Sequence, residues 1–316
     1  MAELIENILP IDVANAALNA LRPDGNEIEY GQYYGFKEGG KVVVPLPRLM
    51  AFQASIDAAG DSPWYRCKLA LVPQNKINYM PWTPTIEKIK DAVEQRTGET
   101  WNLAHIIYYR DGDDSMGMHS DSMLDLMPDS RIAVVSFGCT RQMELMKKSR
   151  STEDGPRKMK FDLMHNSVVL LDQKTNTHYL HRITKQAENR TEDRISIVFR
   201  YVSTFMTDHG LFYGHELPFA SKQDIVQHES RRTMYHYIFS VLVTSFILFV
   251  FTAFIPNWIK LFVGIILCYL VIQFSRQIER VIDKYRTRNA NEQLRKVCHM
   301  KNIEVWNQRD MRDFLK

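Results

Sequence analysis

The chain has 316 residues, of which 45% are hydrophobic and 24% are charged, and its formal net charge is +3. This apolar content is sufficient for a buried core and excludes a globally disordered chain. Residues 1–230 carry 26 Lys and Arg against 31 Asp and Glu, whereas residues 231–316 carry 14 against 6. A basic C-terminal part therefore follows a mildly acidic body, whose overall charge does not indicate a nucleic-acid-binding surface.

The four cysteines are widely separated and form no CxxC pair. This spacing predicts neither a disulfide framework nor a zinc module, and it favours a reducing compartment. The N-terminal segment has early acidic residues and no long apolar run, so we expect neither a secretory signal nor a mitochondrial presequence.

The predicted elements begin with a short helix at residues 12–21, and a segment rich in Gly and aromatic residues then leads into the strand-like VVVPLPRL. Apolar residues at helical spacing within residues 83–97 predict an amphipathic helix that begins at Pro84. Short strand-like segments follow at His105–Tyr109, Ile132–Phe137, Gln142–Met146, Ser167–Leu171 and Ile195–Tyr201. This order predicts a mainly β fold with flanking helices, specifically a double-stranded β-helix (jelly roll).

Residues 237–274 form an almost uncharged region. Residues 237–255 are an apolar stretch of 19 residues, about the length that spans the core of a bilayer. The sequence PNWIK interrupts the run, and 14 more apolar residues follow at 261–274. Arginines flank both ends, so the positive-inside rule requires an even number of crossings. We therefore expect a C-terminal α-helical transmembrane hairpin; one spanning helix with a buried or interfacial helix is the alternative.

The segment YRDGDDSMGMHSD, residues 109–121, places His119 and Asp121 two positions apart. Side chains alternate along a strand, so two such residues on one strand face the same side. With a second histidine from a distant strand they would form the 2-His-1-carboxylate triad of non-haem iron, which leaves positions on the metal open. Alone, the pair is weak evidence for a metal site, because an ordinary surface His–Asp pair has the same spacing.

Two later segments strengthen this interpretation. TNTHYLH (175–181) supplies two candidate histidines, His178 and His181. RISIVFR (194–200) places Arg194 and Arg200 six residues apart, an even spacing that puts both on one face of a strand. Permanently charged guanidinium groups that bind carboxylates bidentately suit a dicarboxylate such as 2-oxoglutarate. In isolation, such arginines are mostly solvated.

In this order, the motifs resemble the AlkB family of Fe(II)- and 2-oxoglutarate-dependent dioxygenases, and within it the group that removes alkyl lesions from nucleic-acid bases. The resemblance covers about half of the chain, from Val42 to Tyr201. Its further segments are PRL (47–49), MPWTP (80–84), TGETWN (97–102) and SFGCTRQMEL (136–145).

The resemblance implies that His119, Asp121 and His181 bind the iron. It decides between the two candidate histidines, because the second histidine of the family's THxxH element is the ligand. His178 would then be a packing residue close to the site.

The same resemblance implies roles for three more residues. Arg194 would pair with the distal carboxylate of 2-oxoglutarate, and Arg200 would lie near the end that chelates the metal. Tyr109 would donate a hydrogen bond to the cosubstrate. Two further residues are candidate substrate contacts: Arg48 would contact phosphate or a carboxylate of the substrate lid, with a plain surface arginine as the alternative, and Tyr65 would line the substrate pocket.

The sequence also departs from the family pattern. Ile107 stands two residues before the tyrosine, where the family has Asn, so one polar contact to the cosubstrate is missing, worth about 1 kcal/mol. Ser122 and Met123 follow the HxD motif where DNA-repair members have acidic residues, and Asp125 is the nearest acid. Because the metal and cosubstrate ligands are retained while the positions that read the substrate differ, we expect an active oxygenase whose substrate is left open.

The predicted organisation follows from these segments: an N-terminal helix and lid region (1–41), the dioxygenase domain (42–205), a linker (206–236), the transmembrane hairpin (237–274) and a basic cytoplasmic tail (275–316). The hairpin would contact membrane lipid and hold the catalytic domain on the cytoplasmic side of a membrane, with the endoplasmic reticulum as one candidate. The tail would lie on anionic lipid, bind RNA phosphates or remain solvated.

The predicted reaction is oxidative demethylation of N-alkylated bases in DNA or RNA, using Fe(II), 2-oxoglutarate and O2 and releasing formaldehyde and succinate. A target base must leave the stack, so methylated single strands are the favoured substrates. One alternative is hydroxylation of a protein or lipid at the membrane. The other is a membrane-anchored, non-catalytic interaction module, against which the complete set of metal and cosubstrate residues argues.

Overall fold

A computed structural model describes residues 2–37, 42–67, 69, 72, 74–186, 192–207, 212–214, 217, 219–254 and 269. The chain divides into two compact units, Met1–His209 and Gly210–Met300. The first unit contains the motifs on which the predicted chemistry depends.

The larger sheet of the first unit has seven antiparallel strands in the order β1-β10-β7-β12-β5-β3-β2. Their bounds are β1 Glu3–Glu6, β2 Gly31–Lys37, β3 Val42–Ala54, β5 Leu103–Tyr109, β7 Ile132–Gly138, β10 Ser167–Leu171 and β12 Arg194–Arg200. Strands β1 and β2, from the stretch predicted as a separate N-terminal region, thus belong to this sheet.

The smaller sheet has four antiparallel strands in the order β6-β11-β8-β9. Their bounds are β6 Met116–His119, β8 Arg141–Lys147, β9 Lys158–Leu163 and β11 Tyr179–Ile183. A short pair joins β4 (Ser62–Pro63) to β13 (Thr204–Met206). Each of the five strand-like segments of the sequence corresponds to a strand, although Tyr201 lies just after β12. The mainly β, antiparallel architecture agrees with the predicted jelly roll.

Three α-helices accompany these sheets: α1 (Ile11–Leu21), α2 (Pro84–Thr97) and α3 (Gln173–His178). The prediction of α2 is confirmed, and its residues Ile86, Ile89 and Val93 are buried. Pro84 occupies a first-turn position, where the missing N–H would have no partner within the helix. The helix ends at Gly98, whose φ of +72° lies in the left-handed region that favours glycine. A 3-10 turn, Pro23–Gly25, follows α1.

Alternate residues of the larger sheet face two different hydrophobic cores. On β10, Val168 and Leu170 pack into the core formed with α1 and α2. Val169 and Leu171 instead join a second core with residues of the smaller sheet, such as Leu145. Strand side chains alternate between two faces, and full burial of each such side chain stabilises the fold by about 1.5–3 kcal/mol. The strands in the middle of this sheet are therefore packed on both faces.

Strand β1 lies at the edge of the larger sheet, and hydrogen bonds just beyond its C-terminal end hold it there. Glu3–Glu6 pair with β10 in antiparallel register. Just beyond the strand, the backbone N–H of Leu9 donates to Asn166 Oδ1 at 3.0 Å, and Asn166 Nδ2 donates back to the Leu9 carbonyl at 2.7 Å. The first residues of the chain thus have a fixed place beside β10.

The second unit contains β14 (Phe212–Gly214) and α4 (Lys222–Phe254). Helix α4 covers the second part of the predicted linker and enters the first apolar stretch. In the part of the chain that the structure describes, no helix meets the length and hydropathy needed to cross a membrane. The predicted transmembrane hairpin is therefore not supported there, and its turn, nearly all of its second stretch and the basic tail lie outside the described residues.

Candidate active site

The three predicted metal ligands lie close together. His119, Asp121 and His181 bring their ligand atoms to within 4.8 Å of one another. His119 and His181 lie directly opposite each other on β6 and β11, with ring centroids 4.2 Å apart. Two imidazoles and one carboxylate are the donors of the facial triad that binds non-haem iron.

The imidazole of His119 has a defined orientation. Its Nδ1 lies 2.9 Å from the carbonyl oxygen of Gly117. A carbonyl can only accept, so Nδ1 carries the proton and Nε2 is left with a lone pair for a metal. His178, by contrast, places Nδ1 3.1 Å from Ser151 Oγ and is not part of the cluster.

Asp121 is held from two sides. Its Oδ1 accepts a hydrogen bond from Arg200 Nη2 at 2.9 Å, and both side chains are almost fully buried. Its backbone N–H donates to Asn176 Oδ1 at 2.9 Å, while Asn176 Nδ2 donates to its carbonyl at 3.0 Å. Strand β6 ends at His119, so the expectation that one strand carries both residues is wrong at Asp121. The orientation of this carboxylate comes from Arg200 and Asn176 instead.

Electrostatics keep the three ligands in the protonation states that bind a metal. Burial, together with the neighbouring His119, lowers the pKa of His181 to about 3. Burial also lowers the pKa of His119. Burial on its own would raise the pKa of Asp121, but Arg200, His181 and His119 together outweigh it and the pKa falls to about 2. Both imidazoles are thus neutral and the carboxylate is ionised at neutral pH.

Arg194 lies at the opposite end of β12 from Arg200 and is completely buried. Its Nη2 donates to Ser136 Oγ at 2.8 Å and to Ser196 Oγ at 3.2 Å. Its Nε and Nη1 have no hydrogen-bond partner among the described residues. A buried guanidinium with two unsatisfied donors is expensive unless an anion binds there, which is what a cosubstrate carboxylate would do.

The ring of Tyr109 lies near the guanidinium groups of Arg194 and Arg141. It lies opposite Arg194 in the ladder between β5 and β12, and its ring is 5.2 Å from the Arg194 guanidinium carbon and 5.6 Å from that of Arg141. Arg141 is itself fully buried and donates to the carbonyls of Asp111, at 3.0 Å, and of Thr184, at 2.6 Å. It therefore fixes the loop that leads into β6.

Ile107 contributes an apolar side chain to the same face. It is buried, and it lies opposite Ser196, which in turn lies opposite Ser136 on β7. The row Ile107–Ser196–Ser136 therefore crosses three strands and offers two hydroxyl groups but no amide. The sequence pointed to Ile107; it did not single out the two serines.

The two predicted substrate residues are both buried near the triad. Tyr65 donates its hydroxyl to the Ser122 carbonyl at 3.0 Å, and its ring lies 4.8 Å from the Arg200 guanidinium carbon. Arg48 donates from Nη1 to the Ser115 carbonyl at 2.8 Å, and its Nε has no partner among the described residues. The contact of either residue with a substrate stays a prediction.

The residues present fit the metal and the cosubstrate that the motifs imply. The cluster offers the donor types that Fe(II) takes in such sites, and the unsatisfied donors of buried Arg194 match a carboxylate. His119, Asp121 and His181 would hold the metal, and Arg194 would hold the cosubstrate, with Tyr109 beside it.

Comparison with known proteins agrees with this geometry. The family model described as the 2OG-Fe(II) oxygenase superfamily matches residues 2–200, and the chain belongs to this superfamily. This match agrees with the metal and the cosubstrate that the residues of the site fit.

Individual relatives carry the AlkB name, in agreement with the resemblance seen in the motifs. Alpha-ketoglutarate-dependent dioxygenase alkB homolog 3 of Rattus norvegicus is 29% identical over 180 residues, 56% of this chain and 56% of its own length. DNA oxidative demethylase ALKBH2 of Homo sapiens is 34% identical over 125 residues, 39% of this chain and 48% of its own length. A solved structure of OsALKBH1 is 16% identical, with a TM-score of 0.42, and covers 63% of this chain and 97% of its own. The chain spans about half the length of the curated relatives it matches.

Proposed function

We propose that the protein removes N-linked methyl groups from bases of DNA or RNA by oxidative demethylation, releasing formaldehyde and succinate. The observation that carries the proposal is the pairing of the His119, Asp121 and His181 cluster with Arg194, whose buried guanidinium has two unsatisfied donors. The relatives named as a DNA oxidative demethylase and as an alkB homolog add support for the substrate class.

When bound, Fe(II) and 2-oxoglutarate supply the oxidation, in which O2 is consumed, the cosubstrate becomes succinate and CO2, and one oxygen atom enters a C–H bond of the methyl group. The resulting N-hydroxymethyl group breaks down to formaldehyde and the unmodified base. The protein contributes position and charge. Arg200 keeps Asp121 ionised and in place, and Arg194 orients the cosubstrate from the opposite end of β12.

The substrate base must reach a cluster whose three ligands are mostly enclosed. Enzymes that modify bases take the target out of the stack, and the energy needed is smallest in single strands. We therefore favour methylated single strands, with the base entering beside Arg48 and Tyr65, both of which lie close to the cluster.

A formaldehyde-release assay on the full chain tests the proposal. Single- and double-stranded DNA and RNA would each be offered with and without methylated bases, with formaldehyde and succinate measured together. We expect equal amounts of both products from methylated strands, and no formaldehyde from unmethylated ones.

Asp121→Ala is the matched control, because it removes one metal ligand and should abolish both products. Decarboxylation of 2-oxoglutarate without formaldehyde from any methylated strand would contradict the proposed substrate class. The same rates for wild type and Asp121→Ala would contradict the site.

A further inference from the structure

Both carboxylate oxygens of Asp125, the first acidic residue after the metal motif, accept hydrogen bonds from residues inside the protein. Its side chain is completely buried, and that of Arg66 is 2% exposed. Arg66 Nε donates to Asp125 Oδ1 at 2.6 Å, the Arg66 backbone N–H donates to Oδ2 at 2.5 Å, and Thr204 Oγ1 donates to Oδ1 at 2.6 Å. With both oxygens occupied, Asp125 is not available as the counter-charge of a bound cation.

The other nearby carboxylates are paired with arginines as well. Asp121 pairs with Arg200, and it would also serve as a metal ligand. Asp114 is held by Arg110, with Nε and Nη2 each donating at 2.8 Å. In the described part of the chain, each of these three carboxylates near the site is thus neutralised by an arginine.

The cations near the triad, in contrast, outnumber the carboxylates. Arg200 is buried against Asp121, and Arg48 is also buried, with its Nη1 donating to the Ser115 carbonyl. Arg48 makes no ion pair with any residue that the structure describes. Fe(II) and the 2-oxoglutarate dianion cancel each other in formal charge, so the loaded site would keep this positive balance.

The segment that follows Asp121 is neutral and held in place. Tyr65 fixes the Ser122 carbonyl, and Asn176 Nδ2 lies 2.9 Å from Met123 Sδ. Met123 packs with the core cluster that includes Tyr65 and Tyr179. The positions closest in sequence to the metal ligand thus present a hydroxyl group and a thioether.

A buried cation needs a counter-charge, because the free energy lost when an unpaired charge is desolvated exceeds the free energy gained from contacts with neutral groups. A neutral base has no such requirement and gains from apolar and aromatic contacts. We propose that the site selects N-alkylated bases without net charge and discriminates against cationic ones, a proposal that rests on the nucleic-acid demethylase function above.

Four matched single strands, each with one methylated base, test this. Two carry neutral bases, N6-methyladenine and N3-methylthymine, and two carry cationic bases, N1-methyladenine and N3-methylcytosine. For the full-length holoenzyme we expect kcat/KM to be at least about tenfold higher for the neutral pair, the effect of one unscreened like charge in a partly buried site. Fluorescence anisotropy with the metal-free protein should give the same order of affinities.

Met123→Glu and Met123→Gln form the variant pair, since the two side chains have the same shape and differ in charge. Met123→Glu should shift the ratio of rates toward the cationic strands, and Met123→Gln should not. If Met123→Glu does not fold, Ser122→Asp against Ser122→Asn provides the same comparison. A wild-type preference for cationic strands, in turnover or binding, would overturn this inference alone. Absence of formaldehyde from all four strands would contradict the proposed function, and the inference with it.

Discussion

Arg200 Nη2 donates to Asp121 Oδ1 at 2.9 Å, and this buried ion pair links an arginine predicted to lie near the cosubstrate to a predicted iron ligand. Although burial alone would raise the pKa of Asp121, Arg200 together with His181 and His119 lowers it to about 2. The carboxylate is therefore ionised and oriented before any metal binds. Groups that orient a metal ligand in this way usually change metal affinity about 10–100-fold.

Arg200→Met should weaken Fe(II) binding by about 10–100-fold, because Asp121 loses its orienting partner and its pKa rises. Arg200→Lys should fall between this variant and wild type, since an ammonium keeps the charge but not the planar donor geometry. Anaerobic metal titration measures both. Unchanged affinity in Arg200→Met would show that the ion pair does not orient the ligand.

Arg194→Met should raise the Kd for 2-oxoglutarate about 10–100-fold, the loss expected for hydrogen bonds to a charged group. Ser136→Ala removes one hydroxyl that accepts from Arg194 and leaves the guanidinium, so its effect should be only a few-fold. Calorimetric titration with 2-oxoglutarate gives both values. Equal effects of the two variants would rule out a direct contact of Arg194 with the cosubstrate.

Ile107→Asn is expected to tighten 2-oxoglutarate binding about fivefold, corresponding to about 1 kcal/mol for one additional hydrogen bond. The position faces the same side as Tyr109 and lies opposite Ser196, so an amide there would reach the cosubstrate. Ile107→Leu, which changes shape without adding a polar group, is the control. The prediction is wrong if the two variants bind 2-oxoglutarate alike.

Asn176→Ala should reduce Fe(II) affinity roughly tenfold and stability by about 1–3 kcal/mol, because it removes both hydrogen bonds to the Asp121 backbone. Asn176→Asp retains the acceptor for the Asp121 N–H but not the donor, so an intermediate loss is expected. Metal titration and denaturant unfolding measure the two quantities separately. A loss of stability without any change in metal affinity would show that Asn176 stabilises the fold but does not position Asp121 for the metal.

Acid should destabilise the metal-free protein through His181. Burial lowers its pKa to about 3, below the usual value of about 6.5, so the unfolded chain binds more protons between these values. The free energy of unfolding should therefore fall as the pH decreases through this window, by up to about 1.4 kcal/mol per unit. Denaturant unfolding as a function of pH measures the slope, and His181→Gln should reduce it. An unchanged slope in that variant would place the titrating group elsewhere.

Sequence patterns were sufficient to predict features that depend on the residue spacing within one segment. The period of two in RISIVFR predicted that Arg194 and Arg200 share a face, and both are buried on β12. The helical spacing of Ile86, Ile89 and Val93 predicted α2 for the same reason.

Contacts between distant segments could not be predicted in this way. Asn176 meets Asp121 across 55 residues, and Arg66 meets Asp125 across 59. No local periodicity encodes such pairs, because strand order and register decide them. Ser136 was also missed, since nothing in its own segment reveals that β7 lies beside β12.

The edge position of β1 has a consequence for the behaviour of the protein in solution. Strand β10 is an uninterrupted apolar segment, SVVLL, with every residue buried, the kind of strand that pairs with another copy when its edge is open. The strand that covers it is only four residues long and carries Glu3 and Glu6 at its ends. Short, charged edges resist further strand addition. Deletion of residues 2–9 should therefore increase aggregation, even though no residue of the candidate active site is lost.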